Sequence, residues 1–117
     1  MSDMKVDTVR SSSSGVVGRA QSEARGYRLL LDSSSRAQPD AFTNSEAFLA
    51  GVSSCGVTLI EGHAKDVGVP MRSIQVTIEG ARTAAEPNRF ATVTMTFEIS
   101  GVSPAQADEL VATYRGR

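Results

Sequence analysis

The sequence of residues 43–68 is TNSEAFLAGVSSCGVTLIEGHAKDVG, and this stretch decides the fold because it predicts one long amphipathic helix. Thr43 and Glu46 have the spacing of a capping box, with Thr43 as the N-cap residue. The helix is expected to continue to about Val67 and to end at Gly68, since helices commonly terminate at glycine. This central helix is the spine of the predicted domain.

Short strand patterns lie before the helix. Residues 16–20 and 27–32 are predicted strands of a small meander. The serine-rich segments 11–15 and 33–39 are predicted loops.

Two segments after the helix alternate apolar and polar residues with a period of two. They are residues 73–79 and 91–99, and the sequence Glu-Pro-Asn at 86–88 supplies a turn between them. The two segments therefore predict a β-hairpin.

A second capping box, at Ser103 and Gln106 with Pro104 at the first helical position, predicts a C-terminal helix. The expected order is an N-terminal β-meander, a long central helix, a β-hairpin and a C-terminal helix, which is a two-layer α+β fold. Residues 1–117 are predicted to form a single domain, because the length suits one domain and no repeat or linker divides it.

Composition gives no electrostatic reason to expect a nucleic-acid partner, since the net charge is -1. No apolar stretch approaches the ~20 residues of a membrane span, and residues 1–5 lack the apolar core of a signal peptide. We expect a cytoplasmic protein without a membrane partner. No cofactor is indicated, and a metal site is not expected because His63 is the only histidine and Cys55 the only cysteine.

Apolar residues surround the central helix on more sides than one small sheet can cover; they are Phe48, Leu49, Val52, Val57, Leu59, Ile60 and Val67. Gly51 and Gly56 leave room for another backbone to approach. We therefore predict an isologous homodimer through this helix. The alternative is that the second helix and the N-terminal strands cover the same face within one chain.

Cys55 lies in a run of small residues, 50–56, within the helix. A lone thiol forms no intramolecular disulfide, so Cys55 is either a small packing residue or a reactive group.

Three segments resemble the OsmC/Ohr superfamily. EAFLAGVSSC at 46–55 resembles that family's E-x-x-L-A-x-x-x-S-C helix, and residues 64–68 with 74–80 resemble the segments that succeed that helix in the family. PNRFATVTMTFEISG at 87–101 is similar to the family's P-x-x-F-x-x-I-x-x-x-F-x-V-x-G strand. The resemblance extends from Gly26 to the C-terminus.

The resemblance implies thiol-dependent reduction of hydroperoxides, organic ones especially, in oxidative or osmotic stress defence. It implies an intertwined homodimer with two sites at the subunit interface and an external thiol as reductant. Cys55 takes the position of the family's peroxidatic thiolate, which an arginine and a glutamate assist.

Glu46 is the candidate glutamate and Arg19 the candidate arginine, because Val17-Gly18-Arg19-Ala20 resembles a glycine-flanked arginine of the Ohr branch. Arg25 is a rival, and a solvated surface arginine is the alternative for both. Glu46 lies ~13 Å along the helix axis from Cys55 and about half a turn out of phase. The two could meet only across a dimer interface, and Glu46 could equally be a plain capping residue.

The chain departs from the family pattern in having no second cysteine, which OsmC and Ohr members carry near the C-terminus. We expect either a truncated version of a longer product, a one-cysteine relative that uses an external thiol, or a protein that has lost the activity. The C-terminal part of the family fold is expected to be missing. The second function class is a non-catalytic dimer that binds a hydrophobic small molecule, with Cys55 as a structural residue.

Overall fold

The computed structural model describes residues 4–116, which form two compact units, one up to Phe48 and one from Leu49. The elements in chain order are β1 Arg10–Ser13, β2 Arg19–Ala24, β3 Tyr27–Asp32, β4 Phe42–Thr43, α1 Asn44–Asp66, β5 Ser73–Ala81, β6 Thr92–Ser100 and α2 Pro104–Arg115. The predicted α+β order is confirmed. Neither helix of the described part is long and apolar enough to cross a membrane.

The first unit holds a four-stranded sheet in the order β1-β2-β3-β4. β1, β2 and β3 form the predicted antiparallel meander, and the short β4 pairs with β3 in parallel. The predicted strand at 27–32 is confirmed, but the sequence pattern missed β4, which has only two residues.

Two predicted boundaries in this unit are wrong. Residues 16–18 lie in a turn because Gly15 and Gly18 adopt positive φ and the Arg19 N–H donates to the Val16 carbonyl at 3.1 Å, so β2 begins at Arg19. The serine-rich segment predicted as a loop instead contributes Ser11 to β1, where it pairs with Ser22. Their hydroxyl oxygens are 2.8 Å apart, so strand pairing is reinforced by a hydrogen bond that serine propensity does not reveal.

The predicted start and end of α1 are confirmed. The Thr43 N–H donates to Glu46 Oε1 at 2.9 Å, and the Glu46 N–H donates to Thr43 Oγ1 at 3.2 Å, which completes the capping box. Gly68 follows the last turn with φ of +73°, and the Val69 N–H donates to the Ala64 carbonyl at 2.9 Å.

In the second unit, α1 and α2 pack on one face of the predicted hairpin. β5 and β6 pair antiparallel from Ser73 opposite Ser100 to Ala81 opposite Thr92. The core consists of Ile60, Ala64 and Leu110, with Val69, Met71, Ile74, Phe97, Ile99, Val111 and Tyr114 packed against it.

Gly56, Ile60 and Ala64 are the buried residues of α1, spaced four apart on one line. A methyl group on Gly56 would meet side-chain atoms of Met95 and Tyr114 at 3.4 and 3.5 Å. The small residue therefore lets the helix lie close to the hairpin and to α2. The Ser103–Gln106 capping box that begins α2 is confirmed.

We predict unequal costs for alanine at two glycines that share positive φ. A methyl group on Gly68 would meet no atom within 4 Å, so Gly68→Ala should cost only the left-handed backbone penalty of about 1–2 kcal/mol. At Gly101, with φ of +86°, the same methyl would lie 2.6 Å from the Arg72 nitrogen and 2.9 Å from the Pro70 carbonyl oxygen. Gly101→Ala should therefore cost about 3 kcal/mol or more.

Urea unfolding of the two variants and the wild type measures the difference. Equal losses of stability would contradict the close backbone approach at Gly101.

Candidate functional site

Cys55 is exposed on α1, directly before the buried Gly56. The two residues are successive on a helix, so the sulfur points about 100° away from the line that packs on the hairpin. Its backbone carbonyl accepts a hydrogen bond from Thr58 Oγ1 at 3.3 Å. The thiol is thus absent from the core of the second unit and open to reagents.

Glu46 is an exposed residue of the first turn of α1, and one of its oxygens accepts the Thr43 N–H. Capping uses only Oε1 in this arrangement, and a carboxylate carries further acceptor sites. The side chain also lines an open cleft of about 480 Å³ with residues 37–42. Glu46 therefore caps the helix, and its carboxylate still has acceptor sites for a hydrogen bond at the cleft that it lines.

Arg19 forms ion pairs with two aspartates, Asp32 and Asp40. Its Nε donates to Asp32 Oδ1 at 2.7 Å and its Nη2 to Asp32 Oδ2 at 3.0 Å. The outer edge of the guanidinium binds Asp40, with Nη2 to Oδ1 at 2.6 Å and Nη1 to Oδ2 at 3.1 Å. Both contacts have the bidentate geometry that matches a guanidinium to a carboxylate.

The two carboxylates differ in burial. The Asp32 side chain is 1% exposed and also accepts the Gln38 N–H at 3.2 Å, whereas Asp40 is 67% exposed. Arg19 itself is 14% exposed. Asp32 therefore fixes Arg19 within the sheet, and Asp40 binds it from the solvent side.

Hydrogen bonding within this cluster shifts all three pKa values. The hydrogen bonds that Arg19 donates to Asp32, and then those to Asp40, raise the pKa of Arg19 further above its ordinary range. The bonds from Arg19 lower the pKa of Asp32 and the pKa of Asp40, against a smaller opposing effect of desolvation. All three groups are charged at neutral pH.

A cleft of about 470 Å³ opens beside this cluster, and we call it the arginine cleft. Its walls are Val16, Val17, Gly18, Arg19, Asp32, Arg36, Gln38 and Asp40. All belong to the first unit. The cleft carries two arginines, two aspartates and an apolar wall, so it offers both charge and apolar surface to a small molecule.

Arg25 lies in the turn between β2 and β3. It has φ of +53° and Gly26 has φ of +86°, which is the pattern of a two-residue type I′ hairpin turn. Its guanidinium carbon lies 5.3 Å from the centre of the Tyr27 ring. Arg25 thus has a local role in the turn, while Arg19 lines a cleft.

The first unit joins Arg19 to two aspartates that the sequence patterns did not single out. The sequence does contain an indication for Asp32, because this aspartate ends the apolar strand Tyr27–Asp32. A carboxylate that is buried at the end of such a strand needs a cation as its partner. Asp40 carried no such signal, because its position beside Arg19 depends on the course of the 33–41 loop.

His63 lines a smaller cleft of about 220 Å³ in the second unit, together with Val67, Val69, Gln106, Glu109 and Leu110. Within residues 4–116, no group of three His, Cys, Asp or Glu side chains is placed to hold a metal ion.

A family model described as "OsmC-like protein" matches residues 37–117, a range that contains Glu46 and Cys55 and leaves Arg19 outside. No curated protein matches the sequence.

Solved structures share the fold at low sequence identity. An OsmC-like protein from Mycoplasma pneumoniae has a TM-score of 0.82 and 15% identity, covering 97% of this chain and 82% of that protein. An organic hydroperoxide resistance protein from Legionella pneumophila has a TM-score of 0.71 and 19% identity, covering 95% and 82%. A putative organic hydroperoxide resistance protein from Vibrio cholerae has a TM-score of 0.70 and 22% identity, covering 97% and 79%.

The Arg19 cluster predicts a specific loss of stability in acid. The pKa values of Asp32 and Asp40 are lower in the folded state than their unfolded value of about 4. The folded state therefore binds fewer protons, and the stabilisation is complete above that value and lost as the pH falls through the lowered pKa values. Asp32→Asn should be less stable than wild type at pH 7. The difference between their free energies of unfolding should become smaller below about pH 4.

Unfolding of both proteins in urea from pH 7 to pH 3 measures this gap. Glu109→Gln, an exposed carboxylate remote in sequence from the cluster, is the control and should run parallel to wild type. A constant gap for Asp32→Asn would contradict the ion pair as the source of the acid sensitivity.

Proposed function

Because this chain belongs to the OsmC-like protein family, we propose that it is a cytoplasmic, thiol-dependent reductase of organic hydroperoxides with Cys55 as its nucleophile. The observation that carries the proposal is the exposure of the sole cysteine in α1, for which the family resemblance implies the role of the reactive thiol. A purely structural cysteine is normally buried. Two structurally similar proteins are organic hydroperoxide resistance proteins, one of them putative, which supports a stress-related role.

The reaction begins with attack of the Cys55 thiolate on the distal oxygen of the hydroperoxide. The S–O bond forms as the O–O bond breaks, and the alkoxide leaves with a proton as an alcohol. Cys55 is oxidised to a sulfenic acid, and the hydroperoxide is reduced by two electrons. One external thiol then condenses with the sulfenic acid, releasing water and forming a mixed disulfide, and a second thiol frees Cys55.

Arg19 and Glu46 are the proposed assisting residues, as the resemblance implies. A guanidinium beside the sulfur would stabilise the negative charge of the thiolate and of the leaving oxygen. Glu46 retains acceptor capacity beyond its capping bond and could orient such a guanidinium by a charge-assisted hydrogen bond. In the described structure Arg19 is instead held by Asp32 and Asp40, so its action at sulfur requires it to exchange at least the exposed Asp40.

A homodimer is part of the proposal. The described chain exposes twelve large apolar side chains, among them Leu29 at 63% and Phe48 at 60%. Exposed apolar side chains can be covered by a partner, and α1, which carries Phe48, is the helix for which the sequence predicts an isologous pairing. We propose a second copy as that partner, with a total buried area above roughly 2,000 Å².

The engagement of Arg19 by two carboxylates favours a second candidate function. If Arg19 never leaves Asp32 and Asp40, the thiol lacks its cation, and the protein would be a non-catalytic dimer that binds a hydrophobic small molecule. In that case Cys55 would be a structural residue of the dimer interface.

We predict that tert-butyl hydroperoxide converts Cys55 to a sulfenic acid in the folded protein. Dimedone should trap one equivalent per chain, detected as a mass increase on the peptide that contains Cys55, and Cys55→Ser should show none. With a single cysteine, the 117-residue chain should consume further peroxide only when a dithiol is added.

Arg19→Gln separates the two functions, with Arg10→Gln as the charge-matched control. The reductase predicts that Arg19→Gln slows trapping at least about tenfold while Arg10→Gln has little effect. Absence of trapping in wild type, together with a Cys55 that does not react with a thiol label in the folded protein, would favour the binding protein.

The dimer can be tested with two glycines of α1. A methyl group on Gly51 would meet no atom within 4 Å of the described chain, while Gly56 is packed on the hairpin. Gly51→Leu should leave the secondary structure intact yet weaken the dimer, whereas Gly56→Leu should cost about 1–3 kcal/mol of folding stability.

Sedimentation at micromolar concentration and circular dichroism distinguish the two effects. A monomeric wild type, or a Gly51→Leu protein that dimerises as tightly as wild type, would contradict an interface at this face of α1.

A further inference from the structure

The arginine cleft carries charges beyond the Arg19 guanidinium that the proposed reductase function uses. Two cations, Arg19 and Arg36, and two anions, Asp32 and Asp40, line one opening. Asp32 is buried and bound to the inner edge of Arg19, so that pair is a fixed part of the wall. The charges that a ligand could engage are therefore the outer edge of Arg19, Asp40 and Arg36.

Asp40 occupies the outer edge of Arg19 from an exposed position. Its two oxygens lie 2.6 and 3.1 Å from Nη2 and Nη1, and its side chain is 67% exposed. An ion pair with one partner so exposed is weak, because water competes for the carboxylate and holding the side chain costs entropy. The contact also shows that this edge of Arg19 accepts a carboxylate in bidentate geometry.

Arg36 is a cation without a counterpart among residues 4–116. Its guanidinium makes no hydrogen bond or ion pair with any residue of the described range 4–116. The Arg36 side chain nevertheless lies against Gly18, because a methyl group on Gly18 would lie 3.2 Å from Arg36 Cδ and 3.6 Å from Nη1. Gly18 thus lets Arg36 lie against the backbone at the cleft wall.

Apolar surface completes the cleft. Val16 and Val17 are exposed, at 63% and 88%, and line the same opening as the two arginines. An inorganic anion has no apolar group that could pack on Val16 and Val17. An organic anion could cover this apolar surface, which would favour its binding by about 25 cal/mol for each Å² of apolar surface removed from water.

We propose that the arginine cleft binds a small organic monocarboxylate. The carboxylate bonds to Arg36 and to the outer edge of Arg19, which Asp40 gives up, and the apolar part of the ligand packs on Val16 and Val17. Asp40 is then a built-in competitor that keeps the site closed to weak anions. The site goes beyond the proposed reductase function and does not involve Cys55.

Butyrate is the probe, with butyramide as its neutral isostere, and binding is followed by calorimetry and by amide NMR shifts of residues 16–19, 36–38 and 40. We expect millimolar affinity for butyrate. Asp40→Asn should tighten binding at least about threefold by removing the competing charge, and Arg36→Gln should weaken it at least about fivefold.

Arg10→Gln removes an exposed arginine outside the cleft and should change the affinity less than twofold, which separates specific contact from net charge. Cys55→Ser should bind butyrate like wild type, so that loss of the reductase function leaves this result standing. Equal affinity for butyramide, looser binding by Asp40→Asn, or an Arg36→Gln affinity equal to wild type would each overturn the proposal.

Discussion

The close approach of α1 to the hairpin is the constraint on which the second unit depends. Gly56, Ile60 and Ala64 form one line on the helix, and two of these three residues are small. The line brings the helix backbone near the ring of Phe97 and the side chain of Met95, and Leu110 of α2 closes the core beside Ile60. Ile60, Ala64 and Leu110 are the buried hydrophobic side chains of the described chain, so each of these contacts is a large share of the packing. The same line fixes which way Cys55 points, since it lies one position away from the buried glycine.

The first unit depends on charge. Its sheet exposes Tyr27 and Leu29 and buries few side chains, but one of those few is Asp32. Burial of a carboxylate is tolerated only because the Arg19 fork meets it with two hydrogen bonds and the Gln38 N–H adds a third. Asp40 joins the cluster from the loop, so the ion pairs also tie the 33–41 segment to the sheet that precedes α1. The stability of the first unit and the chemistry proposed for the arginine cleft therefore both depend on the Arg19 guanidinium.

The two ion pairs of Arg19 limit its part in the proposed chemistry. A guanidinium engaged by two carboxylates has little free charge for a third anion, so Arg19 can assist a thiolate, or bind a ligand carboxylate, only after Asp40 releases it. The exposed position of Asp40 makes this exchange inexpensive, whereas Asp32 would remain bound and keep Arg19 in place. The two proposals thus share one movement of Asp40, yet they are separable because one requires the Cys55 sulfur and the other the Arg36 guanidinium.

The sequence by itself determined the helices and the hairpin, because their signals are local: the capping boxes at Thr43 and Ser103, the stop at Gly68, and the two-residue period of β5 and β6. It also indicated the family and the sole thiol. Only the tertiary structure decided that the serine-rich Arg10–Ser13 is a strand, that β2 begins at Arg19, and that β4 pairs in parallel with β3. It likewise decided that Asp32 and Asp40 meet Arg19. These features depend on contacts between residues 11 to 21 positions apart, and polar segments carry no periodicity from which such contacts could be predicted.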